Sequence, residues 1–432
     1  MNLKPKNINK NEVIADIIQN YRTGESMKAV IFIMDGLGDR PNKDGNTPLK
    51  EAKTPIMDKM AKDGICGLMN AVDVGVRPGS DTAHLAILGY DPYTTYTGRG
   101  PFEACGVGVT VKPGDIAFRC NFSSVDENFI VTDRRAGRIE NTSELEKELD
   151  GLKIDDVEII FKESGGYRAA LVLRGPGLSD RISDADPKKE GKRVKEIHPL
   201  DDSKEAKKTA EIVNRLLKIA YEKLDKHPVN EERRKQNLPV ANMIVPRGVG
   251  QVPEIMPFTE KTGLKGACIA GTGLIKGIAK MVGLDVIDVE GCDGTPNSDL
   301  MAKACAIVET LKNYDFILVN VKGADEAGHD GNYELKKEII ERIDEMLDYI
   351  TKNISKDEVY FVISGDHSTP IEEMDHSADP LPIVIWGKSV RVDDVEKFDE
   401  FSTHKGGLNW IKGTNIMPIL MDLMSIAKKY GA

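Results

Sequence analysis

Four short runs of apolar, mostly β-branched residues stand out along the chain: KAVIFIM at 28–34, DFILVNV at 315–321, EVYFVIS at 358–364 and PIVIW at 382–386. None shows the alternation of a half-exposed strand. Each therefore predicts a strand buried on both faces, as in parallel sheets covered by helices. Apolar positions recur with helical spacing at 54–62 (TPIMDKMAK), 299–312 (DLMAKACAIVETLK) and 333–351 (YELKKEIIERIDEMLDYIT). Strands alternating with helices predict an α/β core, a mainly parallel sheet flanked by helices. The texture changes over 112–236, with alternating strands (GDIAFRCNF, RAALVLRG), a helical stretch at 203–225 and a basic tract, EERRKQN at 231–237, read as an exposed linker. This predicts an inserted α+β domain over 112–236 between core segments 1–111 and 237–432. The core pattern is expected to resume at NMIVPRG (242–248) and GACIAG (266–271), and the first 25 or so residues to add a helix.

The 432-residue length fits two or three domains, and 40% hydrophobic with 30% charged residues is a soluble composition. A net charge of -11 argues against a dedicated nucleic-acid binder. No run approaches the roughly 20 apolar residues of a membrane span, and the N-terminus lacks the apolar stretch of a secretory signal, so a cytoplasmic location is expected. The six cysteines are scattered without a CxxC pair, which suits reduced structural thiols.

Ligands of open α/β sheets gather at the carboxyl ends of the strands, and here those ends carry chemistry. Asp35 follows the first run. Asp325 and His329 follow the second, four residues apart and so on one face of a helical turn. Asp366 and His367 follow the third, and His376 stands just before the fourth. One such residue is an ordinary cap or turn residue; three carboxylates and three imidazoles at neighbouring strand ends are not, because unpaired buried charge is costly. The mixed Asp/His set suits manganese, zinc, cobalt or iron. Six ligands are too many for one open catalytic ion, and two ions about 4 Å apart form a known clamp for phosphoryl transfer.

Upstream, RPGSDTAHLAILGYDP (77–92) is a Pro-Gly turn leading into an apolar helical pattern, with Ser80 at the expected N-cap and Asp81 in the first turn. Alone, Ser80 would be read as a cap. Beside a two-metal set it becomes the expected nucleophile, with helix amides to receive a phosphate. Thr82 is a rival hydroxyl that points off the cap position, and His84 lies one turn further on.

The array Asp35, Ser80, Asp325/His329, Asp366-His367 and His376 resembles the metal centre of the alkaline phosphatase superfamily. PGSDTAHLAILGYDP is similar to the nucleophile segment of the cofactor-independent phosphoglycerate mutases. MDGLGDRP, TGRGPFEACGVG, RCNFSSVD, TDRRAGRI, KGADEAGHDGN, GDHSTP and HSADPLPIVIWG resemble their archaeal branch. The resemblance covers nearly the whole chain and implies an alkaline-phosphatase-like core. It implies one ion held by Asp35, Ser80, Asp366 and His367, another held by Asp325, His329 and His376, and manganese ahead of magnesium, cobalt or zinc. It further implies interconversion of 2- and 3-phosphoglycerate through phosphoserine at Ser80, with Lys276 of GTGLIKGIAK neutralising phosphate charge.

A phosphoglycerate presents a phosphate and a carboxylate, both suited to guanidinium. Candidates in the insert are Arg119 with Asn121, and Arg134, Arg135 and Arg138 of TDRRAGRI, with Asp133 as a general acid. The insert is then expected to close as a lid that traps glycerate and excludes water. The expected partner is a small phosphorylated substrate, with no nucleic acid or membrane; a homo-oligomer is compatible with the sequence. Rival readings are a metal-dependent phosphatase or phosphodiesterase, a small-molecule kinase on the same core, and a non-catalytic scaffold, against which the complete ligand set and intact Ser80 argue.

Overall fold

The computed structural model describes residues 27–431; the helix expected over the first 25 or so residues lies outside them. Eight strands form a large sheet: β1 (Lys28–Met34), β2 (Ile65–Asn70), β9 (Gly266–Ile269), β10 (Asp285–Val286), β11 (Phe316–Val321), β12 (Val359–Ser364), β13 (Leu381–Trp386) and β14 (Asn409–Lys412). The six remaining strands are β3 (Ile116–Val125), β4 (Val131–Asp133), β5 (Lys153–Ile154), β6 (Val157–Glu163), β7 (Arg168–Arg174) and β8 (Met243–Gln251), which form a second sheet.

The large sheet runs β10-β9-β11-β1-β12-β13-β2-β14. β1 shows why its sequence is apolar throughout. Ala29, Ile31 and Ile33 enter one core, which includes Phe316, Leu318 and the Gly273–Met281 helix. Val30, Phe32 and Met34 enter the other, which includes the Leu300–Thr310 and Tyr333–Asn353 helices. Both faces are dry, so alternation disappears.

β13 departs from the expected parallel run, being antiparallel to both β12 and β2. The reversal has a consequence. The start of β13, not its end, lies beside the carboxyl ends of β11, β1 and β12. Residues 35, 322–329, 366–367 and 376 thus share one edge of four adjacent strands.

The second sheet is antiparallel throughout. Ile116, Phe118, Cys120 and Phe122 of β3 pack with Leu216, Leu217 and Ala220 of the Lys204–Asp225 helix, started by a Ser203 cap. β8 pairs with β3 here, whereas NMIVPRG had been expected in the core; its apolar start does not distinguish the two sheets. The tract read as a linker is the Pro228–Lys235 helix, capped by His227. Arg234 pairs with Asp225, and Arg233 donates to Pro239 O and Ala136 O, which gives this basic helix tertiary anchors. All six cysteines are free thiols, five of them buried. No helix among the described residues is long and apolar enough to cross a membrane.

Candidate metal centre

Ser80 is the first residue of the Ser80–Ile87 helix, and Gly79 is its cap, one position earlier than the sequence suggested. Thr82, the rival hydroxyl, is engaged with the Gly79 backbone, donating to its carbonyl at 3.1 Å. Ser80 Oγ is left 3.2 Å from His367 Nε2.

Two groups of donors lie at the shared edge, Asp35, Asp366 and His367 in one and Asp325, His329 and His376 in the other. Within each group the donor atoms lie inside 4.8 Å of one another. The groups adjoin, the His367 and His376 rings stacking at 3.5 Å. Gly36 makes this closeness feasible. Its φ is +69°, and a Cβ there would stand 2.5 Å from Asp325 Cα, so only glycine lets the Asp35 loop cross the Gly323–His329 helix.

The imidazoles share one tautomer. His329 Nδ1 donates to Met374 O at 2.9 Å and His376 Nδ1 to Pro78 O at 2.9 Å. A carbonyl can only accept, so the proton is on Nδ1 in both. Thr369 Oγ1 gives its proton to Asp325 Oδ1 at 2.8 Å and can then only accept from His367 Nδ1, 3.1 Å away. All three Nε2 lone pairs therefore face the centre, the arrangement outer hydrogen bonds impose on metal-binding histidines. His84 Nδ1 likewise donates to Ser80 O at 2.7 Å. Its Nε2 receives the Asn320 amide at 3.3 Å, and that amide also donates to Asp35 Oδ2 at 3.0 Å.

The charges call for cations. Asp35, Asp325 and Asp366 are all buried. Burial, then Asp366, push the Asp35 carboxyl up. Burial also raises Asp366, against the opposing pull of His84 and with Asp325 adding to it. Burial works against ionised Asp325 too, but Lys322 and His367 outweigh it and hold that carboxyl well below the usual range. Burial pushes the His367 imidazole down to about 3, so it is neutral and its lone pair is available. Asp35 Oδ1 and Asp366 Oδ2 are buried and have no hydrogen-bond partner among the described residues. Orphaned carboxylate oxygens beside aimed imidazole nitrogens fit divalent cations, which would supply the missing charge.

A second set of charges lies on the outer sheet. Arg119 and Asn121 of β3 lie opposite Arg247 and Val245 of β8. Arg134 Nη2 and Arg247 Nη1 share one oxygen of Asp186, at 2.9 and 3.1 Å. Asn121, Arg134 and Asp186 line one crevice. Burial, with Arg99, Arg247 and Arg168 adding to it, lowers Arg119 to about 10 despite Glu103. Arg119 Nε and Asn121 Oδ1 are buried without hydrogen-bond partners among the described residues. Tyr96 donates to Asp81, beside Ser80, and Arg99 joins Glu103 at 2.8 Å, which lies 3.7 Å from Arg119.

The remaining sequence candidates have the following surroundings. Arg138 is exposed, and Arg135, also exposed, lies 5.9 Å over the Tyr167 ring. Asp133 Oδ1 accepts the Arg135 amide at 2.7 Å. Lys276 pairs with Asp288 at 2.6 Å rather than with the carboxylates of the centre. Sequence reasoning missed Lys322, Thr369, Asn320, Arg99 and Arg247. Lys322 was within reach, as the first residue after β11 in the KGADEAGH motif. Arg247 was not, because its strand had been assigned to the other sheet.

Residues 27–423 match the model of the Metalloenzyme superfamily. The chain is 96% identical over 406 residues to the 2,3-bisphosphoglycerate-independent phosphoglycerate mutase of Methanococcus maripaludis strain C5, covering 94% of this chain and 100% of that one. A solved Pyrococcus horikoshii protein superposes with a TM-score of 0.81 at 41% identity, over 94% of this chain and 100% of its own. The cofactor-independent phosphoglycerate mutase of Thermoplasma acidophilum superposes with a TM-score of 0.71 at 38% identity, over 92% and 100%. The expected α/β architecture, with its large, mainly parallel sheet between helices, agrees with these matches.

Proposed function

The chain belongs to the 2,3-bisphosphoglycerate-independent phosphoglycerate mutase family of the metalloenzyme superfamily, and from that premise we propose that it interconverts 2- and 3-phosphoglycerate through a phosphoserine at Ser80. The observation that carries this reading is the placing of Ser80 Oγ, 3.2 Å from His367 Nε2 at the junction of two donor groups. Asp35, Ser80, Asp366 and His367 would hold one divalent ion, and Asp325, His329 and His376 the other. Manganese is the first choice, with magnesium, cobalt and zinc as alternatives. When bound, such ions stabilise a developing alkoxide and the charge on a phosphoryl group.

Ser80 Oγ, having given its proton to solvent, forms a bond to phosphorus as the bond from phosphorus to one glycerate oxygen breaks, and it returns to the alkoxide when the phosphoryl group leaves. In the second transfer the other glycerate hydroxyl takes the phosphoryl group and Ser80 is restored, so no water is consumed. Asp133 gives a proton to the leaving glycerate oxygen and recovers one in the return step. Arg119, Arg134 and Arg247, with Asn121, hold the carboxylate and phosphate while glycerate turns. The second sheet acts as the lid, and because β8 belongs to it, its downstream hinge falls near residue 252 rather than 237. We take the reaction to serve glycolysis and gluconeogenesis, with the protein in the cytoplasm.

Peptide mass spectrometry after acid quench of manganese-loaded protein mixed with 3-phosphoglycerate tests this reading. A phosphate on the peptide containing Ser80 is expected. Its appearance on another residue, or on none while 2-phosphoglycerate accumulates, would contradict it.

A further inference from the structure

Lys322 follows the last residue of β11, and its side chain is three-quarters buried, at 23% exposure. Its ammonium donates to Asp325 Oδ2 and lies 3.5 Å from Asp35 Oδ1. Those carboxylates belong to different donor groups, so one cation spans the seam between them. Among the described residues Lys322 is the only Lys or Arg paired with any of the three carboxylates. Other donor atoms close around the same oxygens: Asp325 Oδ1 lies 3.4 Å from His329 Nε2 and 3.6 Å from His376 Nε2, and Asp35 Oδ1 lies 3.5 Å from His367 Nε2, nitrogens whose lone pairs give these oxygens no proton. Cations held by the two groups would compete with the ammonium for both aspartates. A lysine stem with several rotatable bonds can give them up and keep its charge at the seam.

We propose that Lys322 is a catalytic residue, an ammonium that contacts the oxygens of the transferring phosphoryl group between the two donor groups. This rests on the phosphoryl-transfer reading above. The role differs from that of a structural counter-ion, which would hold the two aspartates together and matter equally with or without phosphate. It also places a fixed positive charge where equatorial oxygens accumulate negative charge in the transfer, the kind of interaction worth roughly 10²–10³-fold in rate.

The test compares wild type, Lys322→Gln and Lys322→Arg. Calorimetric titration measures manganese affinity first and then orthovanadate, a mimic of the transferring phosphoryl group, on the manganese-loaded proteins; turnover of 3-phosphoglycerate is followed separately. Lys322→Gln is expected to bind manganese as tightly as wild type or more tightly, because a competing cation is gone. It should bind orthovanadate at least ~10-fold more weakly and turn over ~10²-fold more slowly, with Lys322→Arg recovering part of both losses. Unchanged orthovanadate affinity in Lys322→Gln overturns the proposal, as does a loss of manganese affinity that accounts for the whole effect, or a wild type that binds no orthovanadate. Wild type that binds orthovanadate through Lys322 but leaves phosphoglycerate untouched would sink the mutase reading and leave this one standing.

Discussion

The edge of the large sheet and the arginine face of the second sheet hold their charges by different means. At the edge, each imidazole is fixed by an acceptor of its Nδ1 proton: Met374 O, Pro78 O or the Thr369 hydroxyl. The Ser80 carbonyl is fixed by His84. On the second sheet, Arg134 and Arg247 share one oxygen of Asp186, and Arg119 lies 3.7 Å from a Glu103 already held by Arg99. A metal centre needs donor atoms fixed before the ions arrive. A site that must grip, turn and release glycerate gains from guanidinium groups whose partners can be exchanged. In the proposed reaction the first region would be fixed for chemistry and the second free to exchange partners in recognition.

The largest effect expected on this contrast comes from Ser80→Ala. Turnover should fall by on the order of 10⁴-fold or more, with the circular dichroism spectrum unchanged, because Ser80 is a half-buried first-turn residue and Gly79 is the cap. A variant that kept a tenth of the activity would remove Ser80 from the reaction. Thr369→Val attacks the fixed region without touching a proposed ligand. It releases His367 Nδ1 and takes a donor from Asp325, and manganese affinity by calorimetry should drop ~10–100-fold. Equal affinity would mean the tautomer needs no such anchor.

The recognition region should respond in another parameter. Arg134→Ala and Arg247→Ala should each raise KM by roughly 10-fold, the scale of one charged hydrogen bond, and leave manganese affinity alone. Because both share Asp186, their effects in the double variant should fall short of additive. A fall in metal affinity in either would erase the distinction between the regions.

The smallest effect concerns the support behind the metal edge. Glu400 accepts from the Thr47 hydroxyl at 2.8 Å and from the Asp39 amide at 3.2 Å. Burial pushes its carboxyl up from 4.5 to about 7. A folded pKa above the unfolded one means the folded state holds the extra proton between the two values. The stabilisation is complete below about 4.5 and is lost as pH rises through about 7. Between about pH 5 and about pH 8, the thermal midpoint of wild type should therefore fall relative to Glu400→Gln. Parallel midpoints across that range would place the proton elsewhere.

How much of this was legible in the sequence follows from range. β1, β11 and β12 could be read because burial on both faces leaves continuous apolar runs, and Asp35, Asp325, His329, Asp366 and His367 because they follow those runs directly. His376 was picked out too, although its place at this edge depends on β13 running backwards, which a six-residue apolar strand does not reveal. The arginine face was harder. Arg247 meets Arg119 only because β8 crosses to the second sheet, a pairing between residues 128 apart in the chain. Of TDRRAGRI, only Arg134 reaches the crevice, since the direction a short turn gives each side chain depends on backbone angles that composition does not fix. Lys322 was overlooked for a different reason: a lysine followed by glycine looks like solvated surface until its two aspartate partners are seen.

The central claim is a metal-dependent transfer within one substrate, and the most direct test is a coupled assay. Manganese-loaded protein is given 3-phosphoglycerate without 2,3-bisphosphoglycerate; 2-phosphoglycerate is followed through enolase and free phosphate is measured in parallel. The account predicts 2-phosphoglycerate with little free phosphate, lost on chelation of the mutase before it is added to the coupling mixture and restored by manganese. Free phosphate without 2-phosphoglycerate, or turnover indifferent to chelation, would contradict it.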